Sequence, residues 1–234
     1  MSEDDDDDVA GELIVKYSLD VKTLRIMDNE ISPCNFKLKC EIINASDANI
    51  PGIDIKFTLM KIRFFFEEII SNGIIWSVDN EWANDVFFND DGVCTLGNIP
   101  VITPYDPTDD HLAILFQSKM NAFAATGMEF NFVELEPTDN DVSFLFVGDA
   151  EEVLPTVEEW LGERRYFDKS WWSRDDYSSL DIIPDDDADL NDKPDYSLDF
   201  LKEHLMPKEI KNAKIIKPEF KPQIIKGGLD DDET

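Results

Sequence analysis

The stretch IDIKFTLMKIRFFFEEIISNGIIW, residues 53–76, decides how the rest of the chain is read. Ile55, Leu59, Ile62, Phe66 and the pair Ile69-Ile70 recur every three or four residues, the spacing of one helix face. Pro51-Gly52 marks the start of this helix and Asn72-Gly73 its stop. Phe57, Met60, Phe64 and Phe65 add apolar surface outside the stripe, so the pattern predicts a helix that is largely buried. Ile74-Ile75-Trp76 reads as a strand leaving it. The expectation is a core centred on this helix, with sheet packed against it.

Upstream, Asn44 to Gly52 is rich in Asn, Asp, Ser and Pro and reads as a loop into the helix. Before it, Phe36, Leu38, Cys40 and Ile42 alternate with Lys37, Lys39 and Glu41, the pattern of a half-buried strand over Asn35–Ile43. Leu13 to Tyr17 is a short β-rich run, and Ser2 to Asp8 is a charged leader.

Downstream, Asn80 to Phe88 reads as a short helix carrying Trp82 and Phe87. Asn89 to Gly92 reads as a turn, and Val93–Leu96 and Ile99–Thr103 as strands. Thr108 or Asp109 can cap a second helix, with Asp109 and Asp110 favourable to its dipole and Leu112, Leu115, Phe116, Met120 and Phe123 as its stripe. Glu129–Glu136, with Phe130 and Phe132 set against Asn131 and Val133, and the apolar run Val142–Val147 suggest a hairpin. Glu151–Leu161 reads as a last helix interrupted at Pro155, with Trp160 as a core anchor. Strands joined by hairpins, without regular alternation with helices, predict an α+β fold: a mostly antiparallel sheet packed on two main helices, with a long C-terminal extended tail.

The domain reading is a leader over 1–8, an acidic body over 9–165 and a tail over 166–234. The chain's 52 acidic and 21 basic residues give a formal net charge of −31. Residues 9–165 alone hold 28 acids and 11 bases, so the body is acidic in its own right. Such a surface repels nucleic acid and anionic membrane and attracts basic protein. No apolar run reaches the ~18 residues of a membrane span, and Met1 is followed by acids where a signal peptide needs bases. Cys34, Cys40 and Cys94 form no CxxC pair, which argues for reduced thiols and a cytoplasmic setting, host cytoplasm or virion for a viral chain.

The tail holds short apolar islands in polar surroundings. Trp171, Trp172, Phe200, Leu201, Ile215, Ile216, Phe220, Ile224 and Ile225 are the candidate partner-docking residues. Lys208–Lys226 carries six lysines, and Pro207, Pro218 and Pro222 deny it a continuous helix. Chemistry is harder to find. His111 and His204 are the chain's two histidines, and neither sits in a recognisable triad. Asp185–Asp189 fails the calcium-loop register, which wants Gly and Glu where Leu190 and Tyr196 stand. Neither GxxxxGK[ST] nor GxGxxG occurs. No catalytic, cofactor-binding or metal residues are assigned, and no cofactor is expected. The leading expectation is a non-enzymatic interaction or assembly subunit, of viral-particle or multi-subunit type, with a basic protein partner. The alternatives are a DNA mimic and an enzyme with an unrecognised carboxylate site.

Overall fold

A computed structural model describes residues 15–44, 50–87, 98–139, 141–162 and 166–181. Strands β1 (Val15–Met27) and β2 (Glu30–Asn44) form a long antiparallel hairpin. Its tip is the two-residue loop Asp28-Asn29, both at positive φ (52° and 62°), the turn whose twist suits a tight hairpin. On β1, Val21 and Thr23 point inward and Lys16, Ser18, Asp20 and Lys22 outward.

Helix α1 (Gly52–Phe64) follows, and Phe65–Ile70 continues it as a wider π-helical segment. The π segment closes where Ser71 donates both its amide and its hydroxyl to the Phe66 carbonyl, at 3.0 and 2.8 Å. It turns Phe65 and Phe66 both into the core, edge-on to one another, with Phe66 against Phe116 at 5.0 Å. The expected burial therefore holds for Ile62 through Ile70, whereas Ile53, Phe57 and Met60 of α1 are 54–55 % exposed. The stripe residues Ile55 and Leu59 still pack against the core, and the apolar residues outside the stripe face solvent.

Next come β3 (Gly73–Ser77), α2 (Glu81–Phe87), β4 (Ile99–Thr103), α3 (Asp109–Phe123), β5 (Met128–Pro137), β6 (Phe144–Phe146) and α4 (Val157–Leu161). The sheet order is β4-β3-β1-β2-β5-β6. β1, β3 and β4 are parallel, while β1–β2, β2–β5 and β5–β6 are antiparallel. The fold is α+β as expected, but the sheet is mixed rather than mostly antiparallel. From β2 to β5, strands and helices alternate, and the helical crossovers are what make β1, β3 and β4 parallel. Residues 88–97, including the turn and strand expected at 89–96, lie outside the described residues.

α1, its π extension and α3 cover the inner face of the sheet, where Phe116 meets Phe36 at 5.7 Å. α2 covers the outer face of β3. Register places Leu24 beside Ile74, so Ile74 and Trp76 share the outward side, and Trp76 packs on Phe87 and donates Nε1 to Asn84 Oδ1 at 2.9 Å. Covered on both faces, β3 and β4 are buried throughout. Arg25, at the end of β1, donates to Asp109 Oδ1 at 2.6 Å and to the Pro107 carbonyl at 3.2 Å, tying the hairpin to the start of α3.

Two strand readings need correction. Glu41 pairs with Phe132 but Ile42 with Phe130, so Asn131 is an extra residue that flips the parity of β5. Phe130 and Val133 then face inward, and Phe132 does not. The run Val142–Val147 is not buried: Val142, Leu145 and Val147 are all more than half exposed. β6 is the terminal strand of the sheet and has only one covered face.

Gly73 marks the tightest approach in the fold. A Cβ there would lie 2.8 Å from Val101 Cγ2 and 3.1 Å from the carbonyl oxygens of Ile69 and Ile70. Gly73→Ala must push β3 away from β4 or from the π segment, and overpacking of this kind costs about 1–3 kcal/mol. A urea titration should show a lower midpoint with an unchanged m-value.

Candidate functional site

Residues 166–181 form a strap that runs over the body and into its core. Trp171 and Trp172 sit on a single 3-10 turn, Trp171–Ser173, and both are buried. Trp171 donates Nε1 to the Ile102 carbonyl at 2.9 Å. Trp172 packs edge-on against Trp160 at 5.0 Å. Further along, the Ile102 amide donates to the Ser179 carbonyl at 3.0 Å and Ser179 Oγ to the Pro100 carbonyl at 2.8 Å, so the strap lies along the edge of β4.

Two polar groups fasten it. Lys119 on α3 is fully buried, and its Nζ donates to the carbonyls of Trp171, Arg174 and Asp176 at 2.7, 2.9 and 2.7 Å. Those three bonds use the three protons of an ammonium group. The rings of Phe65, Phe123 and Trp171 stand 4.9–5.7 Å from Nζ. Burial nevertheless pulls the Lys119 pKa down to about 7, against the opposing charge of Asp176. The second fastener is Asp181, whose Oδ2 accepts from Trp160 Nε1 at 2.8 Å and from the Trp171 amide at 2.9 Å. Its Oδ1 accepts from Arg174 Nη1 at 2.5 Å, and Arg174 also donates to Asp176 and Ser178. These bonds hold chain to chain.

Trp171 and Trp172 are thus buried where they anchor the strap inside the body. Phe200, Leu201, Ile215, Ile216, Phe220, Ile224 and Ile225 lie outside the described residues, as do His204, Cys94 and the acidic run 185–189. The Cys34 and Cys40 thiols are each pushed up to about 12 by burial, which makes them inert packing groups. His111 stands at the start of α3, with Nδ1 3.1 Å from the Asp106 carbonyl oxygen and its ring over Tyr105. Among the described residues no three His, Cys, Asp or Glu are placed to hold a metal ion, and no helix is long and apolar enough to cross a membrane.

Among the described residues, two surface depressions share Leu154 and are together termed the groove. On one side of Val153-Leu154, an apolar dimple of about 10 Å³ is walled by Pro104, Tyr105, Ile114 and Val153. On the other side, a cleft of about 300 Å³ separates Leu154–Glu158 from Asp168–Ser173, with Ser118 and Trp172 in its lining. Leu154 lines both depressions. Tyr105 and Val153 are 40 and 44 % exposed. Glu151, Glu158 and Asp168 line the cleft and are exposed, and the exposed Asp106 and Asp110 flank the dimple through their neighbours Tyr105 and His111. Lys169 is the base in the lining. The groove depends on the break at Pro155. There the 3-10 turn Ala150–Glu152 ends, and α4 restarts under a capping box in which Thr156 and Glu159 exchange side-chain bonds.

Charge is distributed unevenly around this groove. Lys16, Lys22, Lys37 and Lys39 stand on the outer face of the sheet, where acids oppose them: Lys16–Glu41 at 3.7 Å, Lys39–Glu134 at 3.4 Å and Lys39–Glu136 at 3.0 Å. Cross-strand pairs thus offset charge on that face, whereas the lining of the groove holds Glu151, Glu158 and Asp168 with Lys169 as its one base.

No protein-family model matches the sequence, and no curated protein matches it. Among solved structures, the crystal structure of uncharacterized protein WS1659 from Wolinella succinogenes overlaps 58 % of this chain and 99 % of its own, at 12 % identity and a TM-score of 0.37. So distant a likeness carries no argument about fold or function.

Proposed function

We propose that the protein is a non-enzymatic interaction subunit whose groove at Val153-Leu154 receives a Lys/Arg-rich segment of a protein partner. The observation that carries this reading is the exposed apolar pair Tyr105 and Val153 set among exposed carboxylates that outnumber the one lysine in the lining. An apolar side chain of the partner packs over the dimple against Tyr105 and Val153, and its basic side chains meet Glu151, Glu158 and Asp168. Complementary charge speeds and orients encounter, while the apolar contact supplies most of the affinity. This arrangement favours an anchored basic peptide over a DNA mimic, which would want carboxylates in an unbroken row.

The test compares full-length wild type with two full-length variants, Tyr105→Ala/Val153→Ser and Glu151→Gln/Glu152→Gln/Glu158→Gln. Proteins retained from native lysate at low salt are purified and titrated singly. The expected partner carries a Lys/Arg-rich segment and binds each variant about tenfold more weakly, near 1.4 kcal/mol. A partner that both variants bind as tightly as wild type removes the proposal. A partner released by salt and indifferent to Tyr105 and Val153 would point to charge mimicry instead.

A further inference from the structure

β6 is an edge strand with little of the usual protection. Natural edges are blunted by shortness, lysine, proline, a bulge or a covering element, and of these the three-residue β6 has its shortness. Ser143-Phe144-Leu145-Phe146-Val147 contains none of these residues, and no described strand lies on its outer side. Phe144 and Phe146 are half-buried, whereas Leu145 and Val147 are 60 and 62 % exposed. The surroundings are acidic: Glu134 and Glu136 on β5, Asp139 and Asp141 in the turn, Asp149 beyond the strand. Such an edge fits an extended, apolar and basic strand.

The chain carries such a segment. Lys208–Lys226 holds six lysines interspersed with isoleucines, and Ile210–Lys217 is an eight-residue run free of proline. Asp181, the last described residue, is separated from Lys208 by 26 residues. Extended, that tether reaches on the order of 85 Å, about twice the breadth of a domain of this size. We propose that the 210–217 segment adds to the outer edge of β6 as a seventh strand. Its lysines then meet Asp149 and join Lys39, one base against two acids, at Glu134 and Glu136, and its backbone satisfies the open edge. Tethering gives it an effective concentration in the millimolar range. Pairing of β6 with the β6 of a second copy would bring two acidic rims together, which charge repulsion opposes.

Hydrogen exchange on the full-length protein tests this, against a full-length variant with Lys211, Lys214 and Lys217 changed to Glu and Ile215 and Ile216 to Ser. Amides of residues 144–147 are expected to exchange at least tenfold faster in the variant, while those of β1 and β2 are unchanged. Equal exchange in the two proteins overturns the proposal. Carbodiimide cross-linking of a mixture of isotopically light and heavy chains supplies the geometry. Links from Lys211, Lys214 or Lys217 to Glu134, Glu136 or Asp149 within one chain are expected. The same links formed only between chains, or links from these lysines only to other acids, reject the intrachain strand.

Discussion

Asp181→Ala is expected to lower the free energy of unfolding by about 3–5 kcal/mol, the range for breaking a buried ion pair by deleting one partner. The carboxylate has no exposed side-chain surface and Arg174 little. Its removal strands Trp160 Nε1 and the Trp171 amide, and leaves Arg174 Nη1 with the Lys169 carbonyl alone of its two acceptors. The first two lie beside the buried tryptophans, where an unmet donor costs about 1–3 kcal/mol. The guanidinium keeps Asp176 and its stacking on Phe167, 3.8 Å from the ring centroid, but loses the carboxylate that pins the end of the strap. Against a total stability of about 5–15 kcal/mol, the loss is large enough to leave a substantial unfolded population on mild heating. Asp181→Asn keeps one acceptor and should cost less. Urea unfolding followed by tryptophan fluorescence reads the effect directly, because Trp160, Trp171 and Trp172 surround the site. A change below 1 kcal/mol for Asp181→Ala would show that the strap is not fastened here.

That prediction concerns residues which composition assigned to a tail, and the reason is physical. Ser173 to Asp199 reads as polar and acidic because Arg174, Asp176 and Asp181 satisfy one another out of water, and a sequence does not show which charges are paired. Trp171-Trp172 was a visible apolar island, but whether an island docks on a partner or on its own domain depends on a cavity built by Phe65, Phe123 and Trp160 from distant parts of the chain. Local signals fared better. The stripe of α3 is buried at each of its positions, Leu112, Leu115, Phe116, Met120 and Phe123. The inward set Phe36, Leu38, Cys40 and Ile42 is buried as its alternation required.

Some features were legible and passed over. Val15, Tyr17, Leu19, Val21 and Thr23 alternate with polar residues up to Asp28-Asn29, a two-residue hairpin loop. The bulge at Asn131 and the π segment were not legible, since each is set by what packs opposite. Nor was the groove at Val153-Leu154. An apolar pair inside an acidic run resembles any helix surface until Pro155 breaks the element and brings Tyr105 alongside.

Lys119 gives the second large effect, and it appears as a dependence on pH. Burial holds the folded pKa at about 7, whereas the same group in the unfolded chain titrates near the ordinary lysine value of 10.5. Between those values the unfolded chain binds more protons than the folded one. Stability contributed by this group therefore rises with pH, by up to about 1.4 kcal/mol per unit. The clean window is pH 7 to 8.5. The raised thiols of Cys34 and Cys40 act with the opposite sign, but only above the ordinary thiol value of 9.0, where stability falls as pH climbs toward 12. Wild type should gain about 1–2 kcal/mol across the window, and Lys119→Met should show no such gain. The substitution removes the cost of burying a charge but leaves the carbonyls of Trp171, Arg174 and Asp176 without their shared donor. At pH 8.5 the neutral amine donates to two of these carbonyls, so with each loss worth about 1 kcal/mol net the variant should be less stable than wild type by about 2 kcal/mol, and by less at pH 7. Urea titrations at pH 7.0, 7.75 and 8.5 give both numbers. Parallel pH slopes in the two proteins would show that Lys119 stays charged in both the folded and the unfolded chain, with the carbonyl cage repaying its desolvation in full.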